Sequence, residues 1–394
     1  MSGGAVTVEL PFAQTRPLQV PPLLRALQVE RDIHQVRTAT GDEAWLVTGY
    51  RQVRQLLDDD RLGRAHPDPD NAARSGESTL FGGPLGNFDT EQADHARMRA
   101  LLQPHFTPAR MRAFRPRVAA LTDELLDDLA AHEQPADLNA TLAVPLPILV
   151  ICELLGVPYE DRAEFRSWTQ AAADIVDRQR SEDGLADLFA YGQRLVARKR
   201  AEPADDVISG LCAVEGLGDA EVAGLSMALL FAGHETTVVQ LGFGALLLLT
   251  HPDSWQALRD DPDLVAGAVE EILRVPGKGG GGIPRYARVD LDLDGTAIPA
   301  GSLVLLDNAA ANHDAGVFAD PDRFDIERRA AGHLTFGHGA RYCLGAPLAR
   351  IELQVVLTRL VHRFPGMRLA VPVEELTLRH DVLTGGLTAL PVTW

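Results

Sequence analysis

The most informative segment of the sequence is Phe336-Gly-His-Gly-Ala-Arg-Tyr-Cys343-Leu-Gly-Ala-Pro-Leu-Ala-Arg350. The single cysteine of this stretch is flanked by three glycines, Gly337, Gly339 and Gly345. Glycine permits positive φ and a close approach of the backbone to another body. Pro347 is expected in the first turn of a following helix, where proline is favoured. Cys343 therefore precedes a helix N-terminus, where backbone N–H groups and the charge of Arg341 stabilise a thiolate.

A thiolate in this position can be a nucleophile or a metal ligand. A nucleophile needs a paired base, which no neighbouring residue supplies. Zinc needs further ligands at suitable spacing, whereas Cys152 and Cys212 stand alone in apolar helical surroundings typical of core thiols. An axial bond to haem iron requires only one cysteine.

The pattern Phe336-Gly-x-Gly-x-x-x-Cys343-x-Gly345 resembles the haem-binding loop of the cytochrome P-450 family. The resemblance extends from about residue 20 to the C-terminus, and it is closest to the soluble bacterial members that tailor natural products in actinomycetes. It implies a mainly α fold with a small β region. Haem b is then expected between the long central helix and the cysteine-loop helix, with Cys343 as the iron ligand and Phe336, Gly337 and Gly345 as contacts.

The central helix is predicted from the apolar stretch between about Val222 and Thr250. Polar groups in its middle, such as Gln240, are costly in lipid, so a buried helix of a soluble protein is the better interpretation. Gly233 removes a side chain where a bulky neighbour must approach the backbone. His234-Glu235 begins like the zinc motif H-E-x-x-H, but Val238 occupies the second histidine position, so the zinc interpretation fails.

The segment Ala232-Gly-His-Glu-Thr-Thr237 is similar to the oxygen-activation motif of the family. The residues alone leave two roles open for Thr236, since its hydroxyl can bond the carbonyl one turn earlier or serve a ligand. The resemblance implies that Ala232 contacts the haem, that Thr236 takes part in oxygen activation and that Glu235 belongs to the proton relay.

Two further elements match the family. Glu271-x-x-Arg274 has the spacing of an ion pair on one helix face, and the resemblance makes it a buried structural pair completed by Arg323. Haem propionates need cationic partners. The resemblance assigns this role to four residues, His95, Arg99, Arg285 and Arg341.

Composition excludes several classes. The chain has 394 residues, with 37 Lys and Arg against 55 Asp and Glu, giving a net charge of −18 that argues against nucleic-acid binding.

Length alone allows two or three domains, whereas the motif order favours a single domain over 1–394 with an irregular segment over about 1–20. Three cysteines and the lack of a secretory signal indicate a cytoplasmic protein without membrane attachment, and we expect a monomer.

Periodicity predicts helices over much of residues 92–275 and again after Pro347 to about Phe364. Alternation and turn residues predict strands and a hairpin between Tyr286 and Leu306, and a strand at Trp45–Gly49. The run Pro276–Gly282 contains G-x-G-x-x-G, but it follows a helix and precedes a strand, contrary to a dinucleotide site. We expect its successive glycines to widen a substrate pocket.

Six arginines lie between His95 and Arg117 without an intervening acid: Arg97, Arg99, Arg110, Arg112, Arg115 and Arg117. This arginine island is either a solvated helix face or a docking surface for an acidic electron donor. The sequence carries no flavin or iron–sulfur motif. Electrons are therefore expected from NAD(P)H through a separate reductase and ferredoxin.

The resemblance implies a haem-thiolate monooxygenase that uses O₂ and two electrons to hydroxylate, epoxidise or oxidatively couple its substrate. The competing interpretations are a haem-binding sensor or carrier and a peroxide-dependent haem enzyme. The substrate pocket is expected to include Phe81, Phe88, Leu229, Ile283 and Leu387. Because its side chains are apolar or small, we expect the substrate to be a bulky secondary-metabolite intermediate of the polyketide, terpenoid or cyclic-peptide class.

Overall fold

The computed structural model describes residues 8–14, 16–275, 281–328, 332–380 and 384–394. The chain divides into two compact units, each made of three segments. The first unit comprises Met1–His95, Ile175–Asp177 and Glu270–Cys343, and the second comprises Ala96–Asp174, Arg178–Val269 and Leu344–Trp394. The expectation of a single domain stays a prediction.

Helices account for most of the regular structure in the described part of the chain. They are α1 (Pro22–Glu30), α2 (Tyr50–Leu57), α3 (Glu91–Leu102), α4 (Pro108–Ala130), α5 (Pro145–Leu155), α6 (Arg162–Ala172), α7 (Arg178–Ala201), α8 (Val207–Cys212), α9 (Asp219–Thr250), α10 (Pro252–Asp260), α11 (Val265–Arg274), α12 (Asn308–Ala311) and α13 (Ala346–Arg363). The strands are β1 (Val8–Glu9), β2 (Ile33–Arg37), β3 (Glu43–Val47), β4 (Leu62–Gly63), β5 (Ala136–Asp137), β6 (Ile283–Ala287), β7 (Leu291–Leu293), β8 (Thr296–Ile298), β9 (Leu303–Leu306), β10 (Arg368–Leu369) and β11 (Pro391–Thr393).

The first unit is built on a six-stranded sheet in the order β1-β2-β3-β9-β6-β4, beside the β7-β8 hairpin. Strands β1 and β2 pair in parallel, as do β3 and β9, while the other neighbours are antiparallel. Side chains of β9 alternate between two apolar clusters, with Val304 and Leu306 in one and Leu303 and Leu305 in the other. This period of two shows that both faces of the sheet are covered.

The second unit is helical around α9, apart from the small sheet β10-β11-β5. Helices α5 and α7 pack on α9, and α13 packs on α4. Among the described residues, α9 is the one helix long and apolar enough to cross a membrane by length and composition. Of its most apolar window, 56% is buried inside the protein, and core helices of soluble proteins meet the same criterion.

The predicted mainly α fold with a small β region is confirmed, and the central and cysteine-loop helices lie within two or three residues of their expected bounds. The N-terminal segment is less irregular than expected, because Val8–Glu9 forms a strand beside Val36 and Arg37. Residues 276–280, which hold most of the predicted glycine run, lie outside the described residues.

Candidate active site

The cysteine loop of the first unit is fixed by its own backbone. The amide of Cys343 donates a hydrogen bond to the carbonyl of Phe336 at 2.8 Å, and the amide of Tyr342 donates to Gly339 at 3.0 Å. Gly337 and Gly339 have φ of +73° and +68°, a region that disfavours side chains. Cys343 is exposed and lies three residues before α13 begins. The loop thus presents a thiol outward from a rigid backbone.

Asn312 anchors the start of this loop. Its Oδ1 accepts from the amide of Leu334 at 2.6 Å, and its Nδ2 donates to the hydroxyl of Thr335 at 2.9 Å. That hydroxyl donates in turn to the carbonyl of Leu273 in α11 at 2.6 Å. Arg274 donates to the carbonyl of Asn312 at 2.9 Å, which connects the helix α11 to the loop.

Glu271 and Arg274 form the expected ion pair, with two hydrogen bonds of 2.8 Å and both side chains fully buried. The assignment of Arg323 as the third member is wrong. Its side chain is 70% exposed and lies 3.9 Å from Asp325. Arg328 takes that place, since its Nε donates to Glu271 Oε1 at 3.1 Å. Arg323 contributes only its carbonyl, which accepts from Arg274 and Arg328, because the chain turns its side chain outward.

The first unit gathers four arginines, here called the cation cluster: Arg64, Arg285, Arg288 and Arg341. The carboxylate of Glu91 bonds two of them, with Arg341 Nη2 at 2.6 Å and Arg288 Nη1 at 3.3 Å. Arg285 donates to the carbonyl of its neighbour Pro284 at 2.9 Å. The sequence predicted Arg285 and Arg341 but not Arg64, Arg288 or Glu91, which no local motif marks.

Burial and mutual repulsion act on these guanidinium groups. Burial, together with the charges of Arg64 and Arg341 and against the opposing charge of Glu91, lowers the pKa of Arg285 to about 9. Burial likewise lowers the pKa of Arg64, with Arg341 adding to the effect. The buried Nε of Arg64 has no hydrogen-bond partner within the described part of the protein. The cluster therefore carries positive charge in excess of its one bonded carboxylate.

These groups fit the haem that the sequence predicts. A thiolate at Cys343 is a suitable axial ligand for iron. Buried guanidinium groups with an unused donor match the two propionate carboxylates of that cofactor. His95 and Arg99 both lie half-buried on α3, four residues apart, with the unit boundary directly after His95.

Helix α9 of the second unit has one open face. Ala228, Ala232 and Thr236 are exposed at intervals of four residues in a helix whose central residues are otherwise largely buried. The Thr236 hydroxyl donates to the carbonyl of Ala232 at 2.9 Å. This is the local bond that the sequence left open, and it fixes the rotamer without burying the hydroxyl.

His234 and Glu235 point into the protein, being 1% and 3% exposed. His234 Nδ1 lies 3.8 Å from Glu235 Oε1, and Arg379 Nη1 lies 3.6 Å from Glu235 Oε2. Burial raises the pKa of Glu235, whereas Arg379 and Arg166 act against the rise. Burial, helped by Arg166 and Arg379, lowers the pKa of His234 to about 3. This site therefore favours a neutral imidazole beside a carboxyl that gains protons easily.

Arg379 was missed because it is distant in sequence and belongs to no motif. Its own amide donates to the carbonyl of Gly386 at 2.9 Å. The next residue, Leu387, is held by Asn139, which donates to its carbonyl at 3.0 Å. Leu387 is only 4% exposed, and a Cβ added at Gly242 of α9 would lie 3.8 Å from it. The structure thus gives Leu387 a packing role on α9, and its part in a substrate pocket stays a prediction.

Gly233 has a bulky neighbour close to its backbone, as its place in the sequence predicts. A Cβ at this position would lie 2.8 Å from Cδ1 of Ile151 on α5. The bulky group that approaches the helix backbone is therefore an aliphatic side chain.

Two other predicted pocket residues, Phe81 and Phe88, have cationic partners in the first unit. The guanidinium of Arg64 lies 5.3 Å from the ring centre of Phe81, and that of Arg288 lies 3.9 Å from the ring centre of Phe88. One face of each ring is therefore covered by a cation. Ile283, the first residue of β6, and Leu229 of α9 are half-buried.

The arginine island is partly neutralised within the second unit. Arg97 pairs with Glu221, Arg110 lies 3.6 Å from Asp205, and Arg117 lies 2.5 Å from Glu153. Arg115 donates to the side-chain oxygen of Gln354 at 2.8 Å. Acids distant in sequence thus remove much of the charge that the local stretch suggested.

Comparison with known proteins gives consistent results. The family model for cytochrome P450 matches residues 194–367. The chain is 43% identical to pentalenolactone synthase of Streptomyces exfoliatus over 393 residues, covering 98% of each chain. It is 40% identical to mycinamicin IV hydroxylase/epoxidase of Micromonospora griseorubida, again over 98% of each. The solved structure of cytochrome P450 PimD, a pimaricin epoxidase, matches with a TM-score of 0.89 and 40% identity, covering 99% of this chain and all of that one.

Proposed function

Since the chain belongs to the cytochrome P450 family and is a monooxygenase of that family, we propose that it oxidises a bulky secondary-metabolite intermediate by hydroxylation, epoxidation or oxidative coupling. The relatives support this class of substrate, since one makes pentalenolactone and another hydroxylates or epoxidises mycinamicin IV. The half-buried Leu229 and the exposed Ala232, both on α9, support an apolar contact surface.

The observation that carries the proposal is the exposed Cys343, held by its amide bond to Phe336 in a loop with two positive-φ glycines. In the proposed enzyme Cys343 would bind the haem iron, and Arg285, Arg341, His95 and Arg99 would bind the propionates. When bound, the haem supplies the chemistry that activates O₂ and inserts one of its oxygen atoms into the substrate.

The acid and alcohol of α9 supply protons to that chemistry. Thr236 presents its hydroxyl on the open face of the helix, while the raised pKa of Glu235 suits a carboxyl that gives and regains a proton. Arg379 holds a positive charge 3.6 Å from Glu235 and steadies its ionised form between transfers. His234, neutral and buried, adds no competing charge.

Electrons come from NAD(P)H through a reductase and a ferredoxin in this proposal. The exposed Arg112 of the arginine island is the part of this surface offered to an acidic donor. Reduction by ferredoxin is then slowed by rising salt, because screening weakens charge steering. We further propose that the enzyme acts as a cytoplasmic monomer.

Two experiments test the proposal. The reduced CO complex of the purified protein gives the thiolate-type absorption band, and Cys343→His removes it while Cys212→Ser leaves it. Persistence of the band in Cys343→His refutes the assigned ligand. Thr236→Ala is expected to lose coupling and release peroxide. The matched control is Thr250→Ala, which removes the equivalent hydrogen bond, from the Thr250 hydroxyl to the carbonyl of Leu246.

Unaltered coupling in Thr236→Ala removes Thr236 from the mechanism. Turnover with peroxide alone, at a rate independent of ferredoxin, supports the peroxide-dependent alternative. A spectral binding screen of polyketide, terpenoid and cyclic-peptide intermediates, followed by product mass, identifies the substrate class. A protein that shows the thiolate band but no turnover with any of them favours a sensor or carrier.

A further inference from the structure

Glu91 is a buried carboxylate at the first position of α3, and its side chain connects four separate parts of the first unit. It is 7% exposed. Its Oε1 accepts from Arg341 Nη2 at 2.6 Å, and its Oε2 accepts from Arg288 Nη1 at 3.3 Å. One arginine comes from the cysteine loop and the other directly follows β6, the strand that carries Arg285.

The backbone after β4 completes the site of Glu91. The amides of Arg64 and Ala65 donate to its two oxygens at 2.7 Å and 3.1 Å. The preceding Gly63 leaves no room for a side chain, because an added Cβ would lie 2.4 Å from Glu91 Oε2. Each carboxylate oxygen thus has one backbone donor and one arginine donor. This arrangement fixes the Glu91 side chain and the two guanidinium groups that it binds.

We propose that Glu91 is a positioning residue for the haem propionates, which holds the guanidinium of Arg341 in place and offsets part of the positive charge of the cation cluster. The inference rests on the proposed function, since it presumes that Arg285 and Arg341 face those propionates. The charge effect is supported at Arg285, where Glu91 raises the pKa of the guanidinium and Arg341 lowers it.

A negative charge beside this cluster affects the iron electrostatically. The reduced iron carries one positive charge fewer than the oxidised iron, so removing a nearby negative charge stabilises the reduced form. The reduction potential of the holoenzyme is therefore expected to shift upward in Glu91→Gln. Arg341→Gln removes a positive charge and is expected to shift the potential downward.

The experiment measures the reduction potential and the rate of haem transfer to apomyoglobin for wild type, Glu91→Gln, Glu91→Asp and Asp60→Asn. Asp60 is exposed, and changing it to Asn removes the same charge without breaking a bond to the cluster. The proposal expects an upward shift in Glu91→Gln, a near-normal potential in Glu91→Asp, and no shift in Asp60→Asn. Haem transfer is expected to be faster in Glu91→Gln because Arg341 is no longer held.

Equal potentials in Glu91→Gln and wild type overturn the proposal, and so do equal shifts in Glu91→Gln and Asp60→Asn. A purely structural role for Glu91 predicts faster haem loss from both Glu91 variants without any change in potential. Should Glu91→Gln not fold, an unchanged potential in Arg341→Gln overturns it instead. A wild-type protein without the thiolate band refutes the proposed function itself, which these variants do not test.

Discussion

Arg379 lies 3.6 Å from Glu235, placing a half-buried guanidinium next to the buried acid of the central helix. The two residues meet because Arg379 is hydrogen-bonded to Gly386, and Gly386 and Leu387 pack on α9 beside Val239 and Gly242. The ionised state of Glu235 therefore depends on a contact between distant parts of the second unit.

Arg379→Gln is expected to raise the pKa of Glu235 further, because burial already raises it and Arg379 acts in the opposite direction. Infrared difference spectra that follow the protonated carboxyl band, assigned with Glu235→Gln, measure the titration midpoint. Arg368→Gln removes an exposed arginine of the same unit and serves as the control. An unmoved midpoint in Arg379→Gln contradicts the ion pair.

Arg328→Ala is expected to destabilise the protein by about 3 kcal/mol, since it deprives the buried Glu271 carboxylate of a partner. Arg323→Ala, at an exposed side chain, is expected to change the free energy of unfolding by less than about 0.5 kcal/mol. Urea unfolding of both variants decides the matter. Equal losses would restore Arg323 as the third member of the pair.

Gly233→Ala is expected to cost about 1 kcal/mol in stability, because its Cβ overlaps Cδ1 of Ile151. Gly224→Ala in the same helix meets nothing within 4 Å and is expected to gain about 0.5 kcal/mol. Ile151→Ala removes both carbons within 3.0 Å of that Cβ, Cδ1 at 2.8 Å and Cγ1 at 2.9 Å, so the double variant should lose less than the sum of the single ones. Strict additivity would show that the two side chains do not conflict.

His234 makes the protein sensitive to acid. Its pKa falls to about 3 in the folded protein. When the pH is below the ordinary pKa of a histidine, about 6.5, the unfolded chain therefore binds a proton that the folded chain does not. The free energy of unfolding therefore decreases as pH falls, by about 1.4 kcal/mol per pH unit from this residue between about pH 6 and about pH 4.

His234→Gln is expected to flatten that dependence by the same amount, as measured by urea unfolding across this pH range. His132→Gln changes an exposed histidine and should leave the slope as in wild type. An identical slope in His234→Gln and wild type would mean that His234 takes up a proton in the folded state.

Much of the fold and of the site could be predicted from local sequence. The glycines around Cys343 require a tight loop at any tertiary position, and apolar continuity specifies the central helix. The Glu271–Arg274 pair follows from helical spacing. Arg328 could not be chosen over Arg323 in this way, because both lie in one short loop and only its path decides which side chain turns inward.

The family, the mainly α fold, the thiol in its glycine loop and the acid and alcohol of α9 could all be predicted from local sequence, since each depends on neighbouring residues and on backbone geometry. Which charges meet depends on the tertiary fold. Glu91 reaches Arg341 and Arg288, Arg379 reaches Glu235, and distant acids neutralise three arginines of the island. Charge pairing depends on distance and burial in space, which spacing along the chain does not encode.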